Sequence, residues 1–315
     1  MAPGGARPAP SARSATLRPM HTTPDSSIPR AAVWMAGWLT LMIVIAVAGR
    51  EAARELSVFQ IMLLRSVLGL PMLWPLVHAS GGRAAVRTER LPQHVLRNVV
   101  HYAAQYGWFA ALSLITLAEL VAIEFTMPIW AALLAVVFLG ERMSGRKWLA
   151  VLLGLVGVAV IVRPATGELD AGQLIALAAA VGFSVSVVLV KSLTRTDSAV
   201  AVSFWMLVVQ AVIGLVPALM TWQWPSAATW GWVAVVAFCG AYSHYCFARA
   251  MKHADATVVV PMDFLRVPLT ALVGWLAYSE RLDLYTALGV GLILAGNALN
   301  LVRWPAGRWR PGRQG

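Results

Sequence analysis

Ten stretches of mostly apolar residues recur along this chain, near 31–49, 58–78, 98–116, 120–139, 147–162, 172–190, 199–220, 228–248, 257–278 and 284–302. A helix needs about 20 such residues to cross the ~30 Å hydrocarbon core of a bilayer. Most of these stretches meet that length, and the fifth is the shortest. Charged residues make up only 12% of the 315 positions, and mean hydropathy is +0.71. A soluble domain carries roughly a quarter charged residues. The chain is therefore expected to be an all-α membrane protein with ten transmembrane helices.

The remaining sequence fits that reading. The net charge of +11 is dealt out between apolar runs rather than gathered in one patch, so it marks topology and not a nucleic-acid partner. Residues 1–30, rich in Pro, Ala, Arg and Ser, are expected to form a disordered cytoplasmic tail, with Met20 a second candidate start. The first apolar run is too long for a signal-peptide core and is expected to stay as a span. Cys239 and Cys246 share one apolar run and imply neither a disulfide scaffold nor a zinc site.

Lys and Arg sort by side. The N-terminal tail, the second loop (Arg83, Arg87, Arg90, Arg97), the fourth loop (Arg142, Arg146, Lys147), Lys191, Arg195, Arg249, Lys252 and the C-terminal tail fall together. Only Arg50, Arg54, Arg163 and Arg281 fall opposite, while Arg65 and Arg266 lie within spans. Positive residues favour the cytoplasmic side, so both termini are expected there, in a cell inner (plasma) membrane with lipid as the surrounding partner.

An internal repeat organises the ten runs. A shift of 139 aligns Glu141-Arg142 with Glu280-Arg281, Tyr106 with Tyr245, Ala132-Leu133 with Ala271-Leu272, and Gly157 with Gly296. A shift of 145 pairs Phe59 with Phe204 and Gly69-Leu70 with Gly214-Leu215. Two units follow, 31–163 and 172–303, with a basic tail over 304–315. Five spans in each force the second to insert upside down, a recurrent device of secondary transporters.

The segments PIWAALLAVVFLGERMSGRKWLAVLLGLVGVAVIV at 128–162 and VPLTALVGWLAYSERLDLYTALGVGLILAGNAL at 267–299 resemble the EamA branch of the drug/metabolite transporter superfamily. Each has the Pro, the apolar helix ending in Glu, and the Gly-bearing helix typical of that unit. The resemblance implies a ten-helix secondary carrier with a central cavity between two five-helix units. Members of that family carry amino acids, riboflavin, S-adenosylmethionine and assorted drugs. The chain departs from its own repeat at Ala150, where the second copy has Gly289, and at Pro128, which aligns with Val267 rather than Pro268.

Ionisable residues within spans cost at least ~2.5–3.5 kcal/mol each on insertion scales, so each needs a reason. Arg65, Glu124, Asp263 and Arg266 stand out. The 139 shift places Glu124 on Asp263, and the 145 shift places Arg65 on Gln210. Asp263 and Arg266 share a helical face with Thr270. Pro128 frees the carbonyl of Glu124, and Pro268 that of Phe264, as happens where broken helices line a cavity. These charges are expected to bind substrate or couple protons, Arg65 and Arg266 holding a carboxylate or phosphate and the acids an amine or a proton. The alternative is a pair of structural bridges, Arg65–Glu124 and Asp263–Arg266.

Trp108 and Trp130 are candidate stacking residues mid-span with Gln105 and Tyr106 nearby, helix packing being equally open, and Gln210, Tyr106 and its repeat partner Tyr245 are further site candidates. His101 and His244 read more simply as packed histidines. Glu141 and Glu280, at helix ends, are expected to pair with their neighbours Arg142 and Arg281, with gating as the alternative.

The function expected is a carrier moving a small polar or amphoteric metabolite, such as an amino acid or flavin, by alternating access, with protons a candidate coupling ion. An intramembrane enzyme would need a nucleophile–base pair, a metal-ligand set or a cofactor motif, and the sequence has none. Gly289-x-Gly291-x4-Gly296 lacks dinucleotide spacing and a preceding strand, so no cofactor is expected, and its small residues suit close helix packing. A receptor or scaffold without transport is the third possibility. Monomer and homodimer both remain open.

Overall fold

The computed structural model describes residues 27–139, 144–162, 170–193, 196–254, 259 and 262–301. Among these there is no strand. The helices are α1 (Ile28–Ala52), α2 (Val58–Ala79), α3 (Leu91–Ala111), α4 (Leu117–Glu124), α5 (Met127–Leu139) and α6 (Gly145–Val162). The second half supplies α7 (Ala171–Leu193), α8 (Ala199–Met220), α9 (Ala227–His253), α10 (Arg266–Tyr278) and α11 (Leu284–Leu301). A short 3₁₀ turn, Gly82–Val86, follows α2.

Five segments are long and apolar enough to cross a membrane: Ile28–Ala52, Val58–Ala79, Leu117–Leu134, Ala171–Val190 and Ala199–Met220. Trp148–Val162 and Leu284–Leu299 are shorter apolar helices. The surface is apolar where a soluble protein would be polar. Val212, Leu215, Val216 and Leu219 of α8 are exposed, as are Leu269, Leu272, Trp275 and Leu276 of α10. The interior instead holds Gln60, Arg65, Asn98, Gln210, Arg266 and Asn297. Polar inside and apolar outside is the arrangement lipid requires.

Helix partners follow the internal repeat. Helix α1 packs on α9, and the repeat-related contact sets α7 on α3; α2 packs on α8, and α6 on α11. The α6–α11 contact depends on glycine. A Cβ on Gly157 would stand 2.7 Å from the carbonyl oxygen of Gly289, and one on Gly296 would stand 2.6 Å from that of Ala150. Backbones this close exclude any side chain, so Gly289 and Gly296 serve helix packing, whereas a Cβ on Gly291 would meet nothing within 4 Å.

Three boundaries differ from expectation. The fourth run is not one helix: it breaks at Phe125–Thr126, between α4 and α5. The ninth breaks likewise at Phe264–Leu265, ahead of α10. Each break precedes a proline, Pro128 or Pro268, whose ring denies the helix a hydrogen bond. Helix α3 begins at Leu91, seven residues before the expected span, because Pro92 suits the first helical turn.

Candidate functional site

The break after α4 sets the position of Glu124. Thr116 begins α4 with a reciprocal cap: its hydroxyl accepts the Glu119 amide at 3.2 Å, and the Glu119 carboxylate accepts the Thr116 amide at 3.1 Å. Eight residues later the helix stops, and its loose carbonyls find side-chain donors. Asn297 of α11 donates to the Phe125 carbonyl at 2.8 Å, and Ser184 of α7 donates to that of Met127 at 2.9 Å. Thr126 donates to the Ile123 carbonyl at 2.6 Å and accepts from the Trp130 indole at 2.9 Å. Irregular backbone at this depth persists only because such donors satisfy it.

Glu124 faces Arg266, the first residue of α10, with 2.9 Å between guanidinium and carboxylate. Asp263, across the second break, lies 3.5 Å from the same guanidinium. One arginine thus stands between two acids, one from each repeat. Each acid has an indole as well. Trp108 of α3 donates to Glu124 at 2.9 Å, and Trp38 of α1 donates to Asp263 at 2.7 Å. The Arg266 guanidinium also lies 4.9 Å from the centre of the Phe125 ring. Its contact with Glu124 is close but not aligned as a hydrogen bond, and both Nε and Nη1 lack an acceptor in good geometry. The pairing is ionic and loosely directed.

Arg65 does not join this group, so the alternative reading of an Arg65–Glu124 bridge is not what the structure shows. Its guanidinium donates to the side-chain oxygens of Gln105 at 2.8 Å and Gln210 at 3.1 Å. Gln210 is its counterpart in the repeat, so the two halves meet here directly. Gly240 of α9 leaves room: a Cβ there would stand 2.8 Å from the Arg65 Nε. Glu124 goes to Arg266 instead because the two helix breaks face one another.

Arg97 was grouped with the second loop by its place in the sequence, yet it is buried on α3 beside Asn98, to which it donates at 2.7 Å. The early start of α3 is the reason. Arg97, His101 and Gln105 repeat every four residues and form one stripe. Trp38 is the other residue that sequence reasoning passed over. It contacts His244 and Phe247 at 5.6 and 5.0 Å between ring centres, linking Asp263 to α9.

The other candidates disperse. Tyr106 stacks on Phe59 at 4.5 Å, and the Trp130 indole donates to Thr126 in the break just before α5. Tyr245 meets Trp34 edge-on at 5.8 Å, with Arg249 over the Trp34 ring. His101 accepts from or donates to Ser186 at 3.2 Å. Glu280 pairs with Arg50 rather than with Arg281, because Ser279 turns the chain at φ 55° and folds Glu280 back. Glu141 and Arg142 lie outside the described residues. A cavity of about 420 Å³ opens at these helix ends, lined by Arg50, Ile115, Glu119, Asp170 and Tyr278 among others, and not at Glu124.

Two carboxyls beyond the spans show what holds the loops. Burial opposes ionisation of Asp197, yet hydrogen bonds from His94, Thr88 and Thr196 hold its carboxyl below the usual value. Glu55 is likewise held low, by the Thr229 hydroxyl first and then by the amide and hydroxyl of Ser226.

The chain matches the EamA-like transporter family model twice, over residues 30–163 and 170–302. It is 24% identical to the S-adenosylmethionine uptake transporter of Rickettsia felis over 262 residues, covering 82% of this chain and 89% of that one. It is 30% identical to the riboflavin transporter of Rhizobium johnstonii over 217 residues, covering 69% and 72%. The pseudopaline exporter of Pseudomonas aeruginosa is 24% identical over 249 residues, 78% of this chain and 86% of that one. A crystal structure at 22% identity superposes with a TM-score of 0.61, covering 87% of this chain and 97% of the other, and shares the fold. With two matches spanning most of its length, this chain belongs to the EamA-like transporter family, and it is a multi-pass membrane transporter of small metabolites rather than an enzyme.

Proposed function

We propose that this protein is a secondary carrier for an amphoteric metabolite, working by alternating access in the inner (plasma) membrane with both termini cytoplasmic. Ten spans form two inverted units, 31–163 and 172–303, flanked by the tails 1–30 and 304–315. With the buried Arg97 left out, the 18-to-4 division of Lys and Arg between the two sides supports that orientation.

The observation that carries the reading is Arg266 set between Glu124 and Asp263 at the two helix breaks. The carboxylates come from opposite repeats, so moving one repeat against the other changes their separation. A cationic group of the cargo, or a coupling proton, replaces Arg266 at one acid. The Trp108 and Trp38 indoles hold each carboxylate in place while this happens. S-adenosylmethionine, the cargo named for the Rickettsia relative, carries fixed positive charge and a carboxylate. That suits a polar interior with charge of both signs better than uncharged riboflavin does.

The test is exchange in proteoliposomes loaded with S-adenosylmethionine, riboflavin or an amino-acid mixture. Arg65→Ala, Glu124→Gln and Arg266→Ala should each abolish exchange of the transported compound while membrane insertion persists. Normal exchange in all three variants would remove this site from the mechanism. A proton-coupled carrier should also respond to an imposed pH gradient, and Glu124→Gln should lose that response.

A further inference from the structure

The interior is electrically lopsided. Arg266 has two acids, whereas Arg65 and Arg97, 2% and 7% exposed, touch none among the described residues. Four buried donor groups near these two arginines lack an acceptor: the Nε atoms of Arg65 and Arg97, the Gln210 amide nitrogen and the Tyr102 hydroxyl. They come from α2, α3 and α8, which meet here. Gln210 touches Arg65, and the Tyr102 hydroxyl lies against Gly214, one helical turn from Gln210. Arg97 donates to Asn98, whose amide donates to the Trp205 carbonyl at 3.3 Å, so Arg97 reaches α8, the helix that carries Gln210 and Gly214.

Buried polar groups are nearly always partnered, and a buried charge without a counter-charge is costlier still. Every orphan here can donate and two are cationic, so what completes them is an acceptor-only group with negative charge. Planar guanidinium groups prefer carboxylate or phosphate oxygens to a simple halide.

We propose that Arg65 and Arg97, with Gln210 and Tyr102, form an anion subsite that takes a carboxylate or phosphate of the cargo. Placing the anion on the cargo rests on the carrier reading; the subsite itself does not. With Glu124 and Asp263 supplying the negative charge, the interior then matches a molecule with positive and negative ends, and Arg97 becomes a specificity residue.

The experiment is thermal unfolding of the purified full chain in neutral detergent, titrated with sodium phosphate or sodium glutarate against sodium chloride at matched ionic strength. A saturable rise in Tm is expected for at least one oxyanion. Arg65→Gln and Arg97→Gln should weaken its apparent Kd at least about tenfold, and Arg97→Lys less. Arg54→Gln removes an exposed charge elsewhere and should leave the affinity unchanged. Without ligand, Arg97→Gln should keep or raise Tm, since it removes an uncompensated charge; a brace would lose stability. No saturable rise, or equal weakening in Arg54→Gln, overturns the subsite. Displacement of bound phosphate by phosphatidylglycerol would assign the anion to a lipid headgroup and overturn the cargo assignment. Oxyanion binding without exchange in proteoliposomes would fail the carrier reading alone, whereas exchange of an anionic cargo that survives Arg65→Gln and Arg97→Gln would fail this inference alone.

Discussion

Glu280, two residues past the end of α10, forms an ion pair with Arg50 in the last turn of α1. Its other oxygen accepts the Leu117 amide at 3.0 Å, at the start of α4. Arg50 in turn donates to the Ile115 carbonyl at 3.1 Å. One carboxylate thus joins three helix ends from both repeats. It also supplies negative charge at a helix N-terminus, where the backbone favours it.

Glu280→Gln should therefore cost about 1.5–3 kcal/mol, the range for a hydrogen bond to a charged group. The pair is 18% and 13% exposed, so solvent screens it only in part. Thermal unfolding of Arg50→Gln, Glu280→Gln and the double variant measures the coupling. The double variant should recover part of the summed loss, since neither charge is left alone. Strict additivity would show that the two groups do not interact.

The cap of α4 makes a second, smaller prediction. Thr116→Ala removes one half of the reciprocal cap and should cost about 1 kcal/mol. Glu119→Ala should cost more, because the same carboxylate also accepts from Gln173 of α7 at 3.1 Å. Unfolding midpoints of the two variants give the order directly, and the reverse order would show that the contact to α7 contributes little.

The ten apolar runs and the family were legible because hydropathy and the 139-residue echo survive in the one-dimensional pattern. The two breaks were signalled by Pro128 and Pro268, though not their positions at 125–126 and 264–265. The partners of the charges were not legible. Glu124 and Arg266 are far apart in sequence, and only the facing of two breaks brings them together. Arg97 was hidden because a basic residue near a span end reads as a loop charge unless the helix start is known. Trp38 was hidden because an indole in an apolar run gives no sign of whether its N–H has found a carboxylate.

Glu55 gives a prediction in pH. Its carboxyl accepts from the Ser226 amide at 2.6 Å, the Ser226 hydroxyl at 2.8 Å and the Thr229 hydroxyl, tying the α1–α2 loop to the start of α9. These bonds hold its folded value below the ordinary 4.5. A carboxyl depressed on folding adds stability above its unfolded value and loses it as pH falls through the folded one. Glu55→Gln should therefore lower Tm at neutral pH, and the gap to wild type should close below pH about 4.5. A gap independent of pH would mean that the charge of Glu55 is immaterial.

Asn297 offers the sharpest test of the broken fourth span. Its side chain, 4% exposed, donates to the Phe125 carbonyl where α4 ends and α5 has not begun. Asn297→Leu keeps the volume but leaves that carbonyl dry and unpaired, a loss of about 1–3 kcal/mol. Asn297→Asp puts an acceptor against an acceptor and should be worse at neutral pH. Its protonated form can donate again, so the Asp variant should regain stability as pH falls while the Leu variant should not. If Leu and Asp behave alike across pH, the Asn297–Phe125 bond does not hold the break. Because Glu124 is the residue just before that carbonyl, the same two variants should also weaken cargo binding in proportion to the stability they lose.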